Sequence, residues 1–305
     1  MVTNPTAAGI GLLMDRLLGE PPEALHPVAA FGRTMQRVED RLYADRRAEG
    51  VVHAGMGLLV GAAAGRVVRA TAVATWSAVA GRCLRDSATA VGAALIDEDL
   101  ERARALLPTL VGRDPAGLDV TDIARAVVES VAENTVDAVV APALWAATAG
   151  ASGVLAHRAI NTMDAMVGHH DDRYERYGWA AARADDLAAW IPARVTAALV
   201  MACRPRAAGA VAGIVRRDAP AHPSPNSGVA EAAFAAALGV RLGGESRYGG
   251  RVELRPTLGD GRACRPADIE RAVRLSNDVS GLLAAVLVLV GVASSGRGRR
   301  RGDGR

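Results

Sequence analysis

Lysine is absent from all 305 residues, so the 36 basic side chains are all arginines. This absence excludes catalysis through a lysine Schiff base. It also excludes a phosphate-binding loop of the Walker A type, which needs its lysine. Any phosphate or carboxylate that this chain recognises must therefore be held by arginine, by backbone N–H groups or by a metal ion.

Cysteines and aromatic residues are also scarce. The three cysteines, Cys83, Cys203 and Cys264, are far apart and form no CxxC pair, which argues against a zinc site or a disulfide framework. Aromatic residues make up 3% of the chain, although half of it is hydrophobic. A core of small and aliphatic side chains suits closely packed helices, and interfaces between membrane helices favour such residues.

Long apolar runs are present, and they predict membrane spans at 139–156, 187–202 and 280–296. The run 51–81 contains Arg66 and Arg69, so it fits only a short or tilted pair of helices. No basic leader precedes the first apolar run, and a signal peptide is therefore not expected. Because the mean hydropathy is only +0.14, soluble helices and loops must alternate with the spans.

The last apolar run leads into an arginine-rich tail, 296–305. By the positive-inside rule this tail lies in the cytoplasm. The same arginines offer only weak support for nucleic-acid binding, and no nucleic-acid partner is predicted.

The soluble segments read as helices. Charged helices are predicted from about Arg33 to Ala48 and over 86–107, and Asp119 or Thr121 is expected to cap the helix that follows. No alternating pattern predicts a strand. The sequence therefore predicts an all-α polytopic membrane helical bundle, with amphipathic soluble helices and polar loops between the spans. It is expected to form one integral-membrane domain over 1–295, followed by the basic tail 296–305.

An acidic segment, ESVAENTVDAVVAP (129–142), is the first candidate for chemistry. Glu129, Glu133 and Asp137 are spaced four residues apart and so fall on one side of a helix, with Asn134 beside them. Two interpretations stay open. The stripe is either a solvated polar face or a carboxylate cluster that holds a cation or a positive group of a substrate.

A second polar segment covers 157–194. If 153–167 is helical and ends at Gly168, then Arg158, Asn161 and Asp164 lie near one another. The following His169, His170, Asp171 and Asp172 are potential metal ligands. A solvated loop is preferred for them, because adjacent residues rarely converge on one ion.

The helix predicted after this loop carries Arg183, Asp186, Trp190 and Arg194 on one face, while Asp185 points elsewhere. An ordinary salt-bridged soluble face is the alternative. This alternative is less favoured because the helix continues into apolar sequence, where ionisable groups are costly and usually face an interior site.

The loop HPSPNSG (222–228) is expected to open a helix. Its serines, its asparagine and the N–H groups of the helix start suit a phosphate or carboxylate, although a well-capped helix start explains them equally well. Taken together, the polar segments indicate a membrane-associated site for a phosphorylated substrate linked to Mg²⁺, without naming a reaction.

The segments 129–142, 161–194 and 222–244 resemble the cobinamide-phosphate synthase family of cobalamin biosynthesis. DRLLGEPPEALHPV (15–28) and LVGRDPAGLD (110–119) are similar to its other signature segments. The resemblance runs from about residue 11 to 285 with the segments in the expected order.

This resemblance implies a multi-pass enzyme of the inner membrane that joins adenosylcobyric acid to (R)-1-amino-2-propanol phosphate, or to aminopropanol, through an amide at the corrinoid f-carboxylate. It also implies ATP as a co-substrate, Mg²⁺, and no tightly bound prosthetic group. The expected partners are the corrinoid, the amine, membrane lipid and other late enzymes of cobalamin assembly.

On that basis the site residues are expected to fall into three groups. The catalytic candidates are Glu129, Glu133, Asp137 and Asp164. The candidates for substrate and phosphate binding are Asn134, Asn161, Arg173, Arg183, Arg194, His222, Ser224 and Asn226. The candidate metal ligands are Glu133, Asp185 and Asp186.

Two rival interpretations are kept. One is a non-catalytic membrane regulator of the same superfamily, which would not need the whole set of acidic, basic and loop residues. The other is a soluble helical scaffold, in which the alanine-rich segments pack as an ordinary bundle.

Overall fold

The structure is a computed structural model that describes residues 3–21, 27–112, 115–169, 171–248 and 251–302, with side chains for all of these except 246–253 and 296–302. These residues are mainly helical. The helices are α1 Asn4–Leu18, α2 Pro27–Leu42, α3 Arg47–Val68, α4 Thr71–Ala78, α5 Gly81–Ile96, α6 Leu100–Leu106, α7 Val120–Thr135, α8 Ala141–Val167, α9 Trp179–Cys203, α10 Ala208–Asp218, α11 Ser227–Leu238 and α12 Pro266–Gly302. A π-helical turn, Val136–Val140, joins α7 to α8. Strands β1, Leu242–Tyr248, and β2, Arg251–Leu258, pair antiparallel.

Among the described residues, four segments are long and apolar enough to cross a membrane: Arg47–Val68, Val120–Val167, Trp179–Cys203 and Pro266–Ser295. Two of them contain the predicted spans 139–156 and 187–202, and a third contains all but the last residue of 280–296. The fourth is α3, and the run 51–81 is indeed a pair of helices, α3 and α4. Arg66 lies in the last turn of α3 and Arg69 caps its C-terminus, so the two arginines that interrupt the apolar run lie at the end of this helix. The predicted all-α membrane bundle is confirmed.

Some predicted boundaries were wrong. Helix α2 starts at Pro27 rather than near Arg33, and the helix expected over 86–107 is divided into α5 and α6. The chain turns between them because Glu98 takes a positive φ of 59° and the Asp99 carboxylate caps α6, accepting the N–H of Arg102 at 3.0 Å. The prediction at the next helix is confirmed, since the Asp119 carboxylate accepts the N–H of Asp122 at 2.8 Å.

The hairpin β1–β2 was missed by the sequence analysis. Gly243 and Gly244 take positive φ angles of 80° and 91°, and the strand register shifts between Leu242 and Gly244. Such a bulge interrupts the alternation of inward and outward side chains from which a strand is recognised.

The chain divides into two compact units. The first comprises Met1–Ala80, Asp137–Ala189 and Leu283–Arg305. The second comprises Gly81–Val136 and Trp190–Leu282. We describe each unit by itself.

In the first unit, α1, α3 and α4 pack against α8. The contact between α3 and α8 is close: a Cβ on Gly65 would lie 2.3 Å from the Cα of Ser152, so no larger residue fits there. Helix α8 is broken at Gly150, where φ is 65° and ψ is −154°.

In the second unit, α7 packs against α5 and α11, and the hairpin lies against α7, α10 and α11. Ile123, Phe234, Leu242, Leu258 and Leu275 are fully buried there. Arg125 of α7 donates to the carbonyl oxygens of Gly243 and Glu245, which ties the hairpin to this helix.

Candidate functional site

Two of the predicted carboxylates meet in a small polar pocket of the second unit. Glu129 and Glu133 are one turn apart on α7, and both line a cavity of about 130 Å³ together with Ser130 and with Arg255 of β2. One water needs about 10–15 Å³ on this measure of volume, so the pocket has room for several waters or for a small polar ligand. Therefore, of the two interpretations of the acidic segment, the solvated face is wrong for Glu129, which is 2% exposed.

Each carboxylate of this pocket has a defined donor. The Oε1 atom of Glu129 accepts the backbone N–H of Gly243 at 2.7 Å, and Arg125 lies 3.9 Å away. The Oε1 atom of Glu133 accepts a hydrogen bond of 2.8 Å from the hydroxyl of Ser227. These hydrogen bonds fix the positions of the two carboxylates inside the unit.

Asn134 has a more local contact than expected. Its Nδ2 atom donates to the carbonyl oxygen of Ser130 at 3.0 Å and lies 3.2 Å from the Ser130 hydroxyl. The side chain therefore folds back onto α7. Its predicted role in binding substrate stays a prediction.

The loop 222–228 opens α11 as predicted, and its groups bond to one another. Ser224 Oγ accepts the N–H of Asn226 at 3.3 Å and that of Ser227 at 3.1 Å. The N–H of Gly228 reaches the Ser224 carbonyl at 3.4 Å. The first N–H groups of the helix are thus used within the loop, as the capped-helix interpretation requires. Direct binding of an anion by Ser224 and Asn226 stays a prediction.

Gly228 allows His222 to pack against the start of α11. A Cβ at position 228 would lie only 2.5 Å from the Cβ of His222 and 2.9 Å from the carbonyl oxygen of Ala219. Burial lowers the pKa of His222 below its usual 6.5, and the charge of Arg255 lowers it further. The backbone contact to Ser224 and the carboxylates of Glu133 and Glu129 raise it in part. The imidazole is therefore neutral near pH 7.

Arg194 is joined to the same loop. Its Nη1 atom donates to Asn226 Oδ1 at 3.1 Å and to the Trp190 carbonyl at 3.0 Å, and the guanidinium lies 4.4 Å from the centre of the Trp190 ring. Among the described residues, Nε and Nη2 form no hydrogen bond. They leave one edge of the guanidinium available for a carboxylate or phosphate.

The first unit contains a separate polar cluster. Asn161 Nδ2 donates to Asp185 Oδ1 at 3.2 Å, and Arg158 Nη1 donates to Asn161 Oδ1 at 3.2 Å. The carboxylates of Glu20, Asp137 and Asp185 act electrostatically on Arg158. Helix α7 ends at Thr135, and Asp137 lies on the π-helical turn that follows it, where the four-residue spacing of an α-helix no longer holds. Asp137 therefore belongs to the first unit, unlike Glu129 and Glu133.

The two aspartates of α9 behave as the spacing predicts. Asp185 is 9% exposed and meets Asn161, whereas Asp186 lies 3.8 Å from Arg183 at a more exposed position. Asp164 is in the last turn of α8, where its carbonyl oxygen accepts the N–H of Gly168 at 2.7 Å. The predicted end of α8 at Gly168 is confirmed.

Arg173 is bound by a residue that the sequence analysis did not single out. Its Nη2 atom donates to Glu39 Oε1 at 3.1 Å, and the hydroxyl of Tyr174 donates to the same oxygen at 2.8 Å. Glu39 is fully buried, while Arg173 stays about half exposed and stacks on Tyr43. Phosphate binding by Arg173 stays a prediction.

The loop before Arg173 is solvated, which is the interpretation that the sequence analysis preferred over a metal site. His169, Asp171 and Asp172 are exposed, and Asp171 Oδ1 caps the turn by accepting the N–H groups of Arg173 and Tyr174. His170 lies outside the described residues. Within the described part of the chain, no three His, Cys, Asp or Glu side chains converge enough to hold a metal ion. Of the predicted metal ligands, Glu133 belongs to the second unit and Asp185 and Asp186 to the first.

Sequence reasoning missed three residues near the pocket. Ser227 lay within the HPSPNSG loop but was given no role. Glu231 is the only charge in the alanine-rich SGVAEAAFAAAL of α11, a signal that could have marked it. Arg255 had no usable signal, because it lies on a hairpin that was not predicted.

Fold and polar clusters together define a helical membrane protein with carboxylate and arginine sites in its polar segments. The family model of the CobD/Cbib protein matches residues 8–276, so the chain belongs to the CobD/Cbib family, which confirms the resemblance to the cobinamide-phosphate synthases.

Relatives of known name agree with this assignment. A cobalamin biosynthesis protein CobD of Mycobacterium tuberculosis is 49% identical over 94% of this chain and 96% of its own length. Proteins of the same name from Geobacter metallireducens and Rhodobacter capsulatus are 42% and 44% identical, over 82% and 72% of this chain and 84% and 70% of their own lengths. No solved structure matches the chain. The chain is thus a cobalamin biosynthesis protein of this family.

Proposed function

We propose that this protein forms the amide between the f-carboxylate of (adenosyl)cobyric acid and (R)-1-amino-2-propanol phosphate, or aminopropanol, with ATP activating the carboxylate. The observation that carries the proposal is the pocket of Glu129, Glu133 and Arg255. Its volume of about 130 Å³ suits a small amine and not the corrinoid. Two carboxylates one turn apart attract an ammonium group.

The reaction divides into two balanced steps. A corrinoid carboxylate oxygen attacks the γ-phosphorus of ATP, and ADP leaves. The amine nitrogen then attacks the carbonyl carbon of the acyl phosphate, and inorganic phosphate leaves with one N–H proton. Because the amine enters as an ammonium ion, it must first lose another proton. We assign that proton to the Glu133 carboxylate, which lines the pocket and is oriented by Ser227.

Glu129 has a different role in this proposal. Glu129 is 2% exposed and lies 3.9 Å from Arg125, whereas Glu133 is only half-buried, so Glu129 provides fixed charge and Glu133 is the more accessible proton acceptor. The arginines supply the opposite charge. Arg255 lines the pocket, and Arg194 presents a guanidinium edge that can bind a phosphate or carboxylate in two-point fashion.

Mg²⁺ fits the residues present. In phosphate-transfer sites this ion takes one or two carboxylates and completes its shell with water and substrate phosphates, and Glu129, which is not the proton acceptor, lines the pocket and would supply such a carboxylate. Bound there, Mg²⁺ would neutralise phosphate charge. The residues of the first unit, Asp137, Asn161, Asp164, Asp185, Asp186, Arg173 and Arg183, are proposed to bind polar groups of the larger substrates. We further propose the inner membrane as the location, with a cytoplasmic C-terminus.

Complementation tests the proposal. The chain is expressed in a strain that lacks its own cobinamide-phosphate synthase and is grown on cobyric acid, with cobinamide as the positive control. The wild-type chain is expected to support growth on both compounds. Glu133→Gln should abolish growth on cobyric acid and leave growth on cobinamide unchanged. Glu270→Gln is the matched control, since Glu270 is 65% exposed and pairs with Arg274 on the surface of α12.

A non-catalytic regulator of the same superfamily is the alternative. It predicts growth on cobinamide alone, with the protein present in carbonate-washed membranes. In vitro, membranes supplied with cobyric acid, ATP, Mg²⁺ and either amine should yield a product with the mass of the amide. The absence of that mass from membranes shown to contain the protein would overturn the proposal.

A further inference from the structure

His222 and Glu231 form a buried pair behind the carboxylate pocket. The Nε2 atom of His222 lies 3.7 Å from Glu231 Oε1, and the two side chains are 4% and 1% exposed. Glu231 follows Ser227 by four residues on α11, so both lie on one side of this helix. A charged residue in the middle of an alanine-rich buried helix is costly unless it is paired.

The loop by itself does not choose the tautomer of His222. The Nδ1 atom lies 3.1 Å from the backbone nitrogen of Ser224 and also 3.1 Å from its carbonyl oxygen. As an acceptor, Nδ1 would take the Ser224 N–H. As a donor, it would bond to the Ser224 oxygen instead. In a neutral imidazole, one nitrogen donates and the other accepts.

The Glu231 carboxylate makes that choice. At 3.7 Å the carboxylate is beyond hydrogen-bond reach of Nε2, but its negative charge attracts an N–H dipole and repels a nitrogen lone pair, so it favours the tautomer that carries the proton on Nε2. Nδ1 is then left as the acceptor for the N–H of Ser224. In this way the contact of Nε2 with Glu231 sets the protonation of Nδ1, as is general for the two nitrogens of a histidine ring.

A continuous series of contacts leads from this pair to the pocket. Nδ1 of His222 holds Ser224, Ser224 Oγ accepts the N–H of Ser227, and the Ser227 hydroxyl donates to Glu133. We propose that Glu231 is a positioning residue that keeps the proton of His222 on Nε2, so that His222 holds the loop in the form that orients Glu133. His222 accordingly acts on the loop rather than on the substrate. The kinetic consequence of this inference rests on the proposed function, whereas the assignment of the tautomer does not.

The tautomer is measured directly on the full chain in detergent or lipid discs. Nitrogen-15 NMR of labelled histidine, with the His222 signals assigned by comparison with His222→Asn, distinguishes protonated from unprotonated nitrogens. We expect a protonated Nε2 and an unprotonated Nδ1. The pattern should survive in Glu231→Gln, whose side-chain oxygen still attracts the N–H of Nε2, and be lost in Glu231→Leu. A proton on Nδ1 in the wild-type protein would overturn the inference.

Kinetics of amide formation test the consequence. His222→Asn places an amide oxygen near the position of Nδ1, so it should restore most of the activity that His222→Leu loses. Glu231→Leu should raise the KM for the amine about tenfold, as expected for one lost orienting hydrogen bond, and leave the KM for ATP unchanged. Glu270→Gln should match the wild type.

The possible failures are distinguishable. If His222→Asn is as inactive as Glu133→Gln, the ring itself takes part in the chemistry and the positioning role is wrong. If Glu231→Leu lowers the folded yield without changing the KM of the remaining protein, the role is structural only. A wild-type protein that forms no amide would refute the proposed function, while the NMR result would still decide the tautomer.

Discussion

Ser227 and Glu133 are separated by 94 residues, and the Ser227 hydroxyl donates to the Glu133 carboxylate at 2.8 Å. This contact links the start of α11 to α7 within the second unit. It brings together two segments that the sequence showed only as separate polar motifs.

Ser227→Ala removes this donor and leaves the backbone of the loop unchanged. We expect the KM for the amine to rise about tenfold, because the carboxylate loses a hydrogen bond to a charged group, while the protein stays folded. The measurement is steady-state amide formation at varied amine concentration. An unchanged KM in Ser227→Ala would show that Glu133 is oriented by other groups.

Arg194→Lys keeps the positive charge and removes the planar guanidinium. The three donors of lysine share one nitrogen, so lysine cannot bond to Asn226 and also present a planar, parallel pair of donors. We expect affinity for an anionic substrate to fall about tenfold or more, which titration with ATP and with the phosphorylated amine can measure. Equal affinities for Arg194→Lys and the wild type would mean that only charge matters at this position.

Asp218 predicts a pH-dependent contribution to stability. Its carboxylate bonds to Arg217 and accepts the N–H of Gly259 at 2.8 Å; the Arg217 contact in particular holds the pKa of Asp218 below its usual 3.8 despite partial burial. A depressed folded-state pKa gives stability that is complete above the unfolded pKa and is lost as the pH falls through the folded pKa.

The Tm difference between the wild type and Asp218→Asn should therefore be constant from pH 8 to about 5. It should shrink as the pH is lowered below 3.8. Melting curves of detergent-solubilised protein at several pH values test this. A difference that grows in acid would contradict the assigned sign.

Cys264 should resist alkylation in the folded protein. It is 2% exposed, and burial, helped by the nearby Asp268 and Glu129, raises the pKa of its thiol to about 12. Cys83 is exposed and serves as the internal control. Treatment with iodoacetamide at pH 8 followed by peptide mass analysis should modify Cys83 and spare Cys264 until the protein is denatured. Rapid labelling of both would be inconsistent with the described fold.

The sequence predicted the spans, several helix ends and the acidic segment, because these depend on local patterns. Asp119 marks a helix start through its side-chain cap, Gly168 follows the last residue of α8, and apolar runs of sufficient length mark the spans. The family resemblance led to the proposed function, since no local pattern names a corrinoid.

Contacts between distant segments could not be predicted in the same way. Arg255 meets Glu129 and Glu133 only because a bulged hairpin returns to α7, and the bulge itself conceals the strand pattern. Asp137 was expected beside Glu129 and Glu133, and a π-helical turn after Thr135 changes the periodicity and places it in the first unit. The bond from Arg173 to Glu39 spans 134 residues and has no signal in either segment.

The bond between Glu129 and the N–H of Gly243 has a consequence for how related sequences can diverge. The donor is a backbone amide, which every residue except proline carries, but a Cβ at position 243 would lie 2.0 Å from the carbonyl oxygen of Pro256 and would displace the hairpin. Gly243 is constrained also by its positive φ of 80°. Exchange of residues at 133 and 227 is expected to be correlated, whereas position 129 can lose its partner through a shift of the hairpin that leaves every residue identity unchanged.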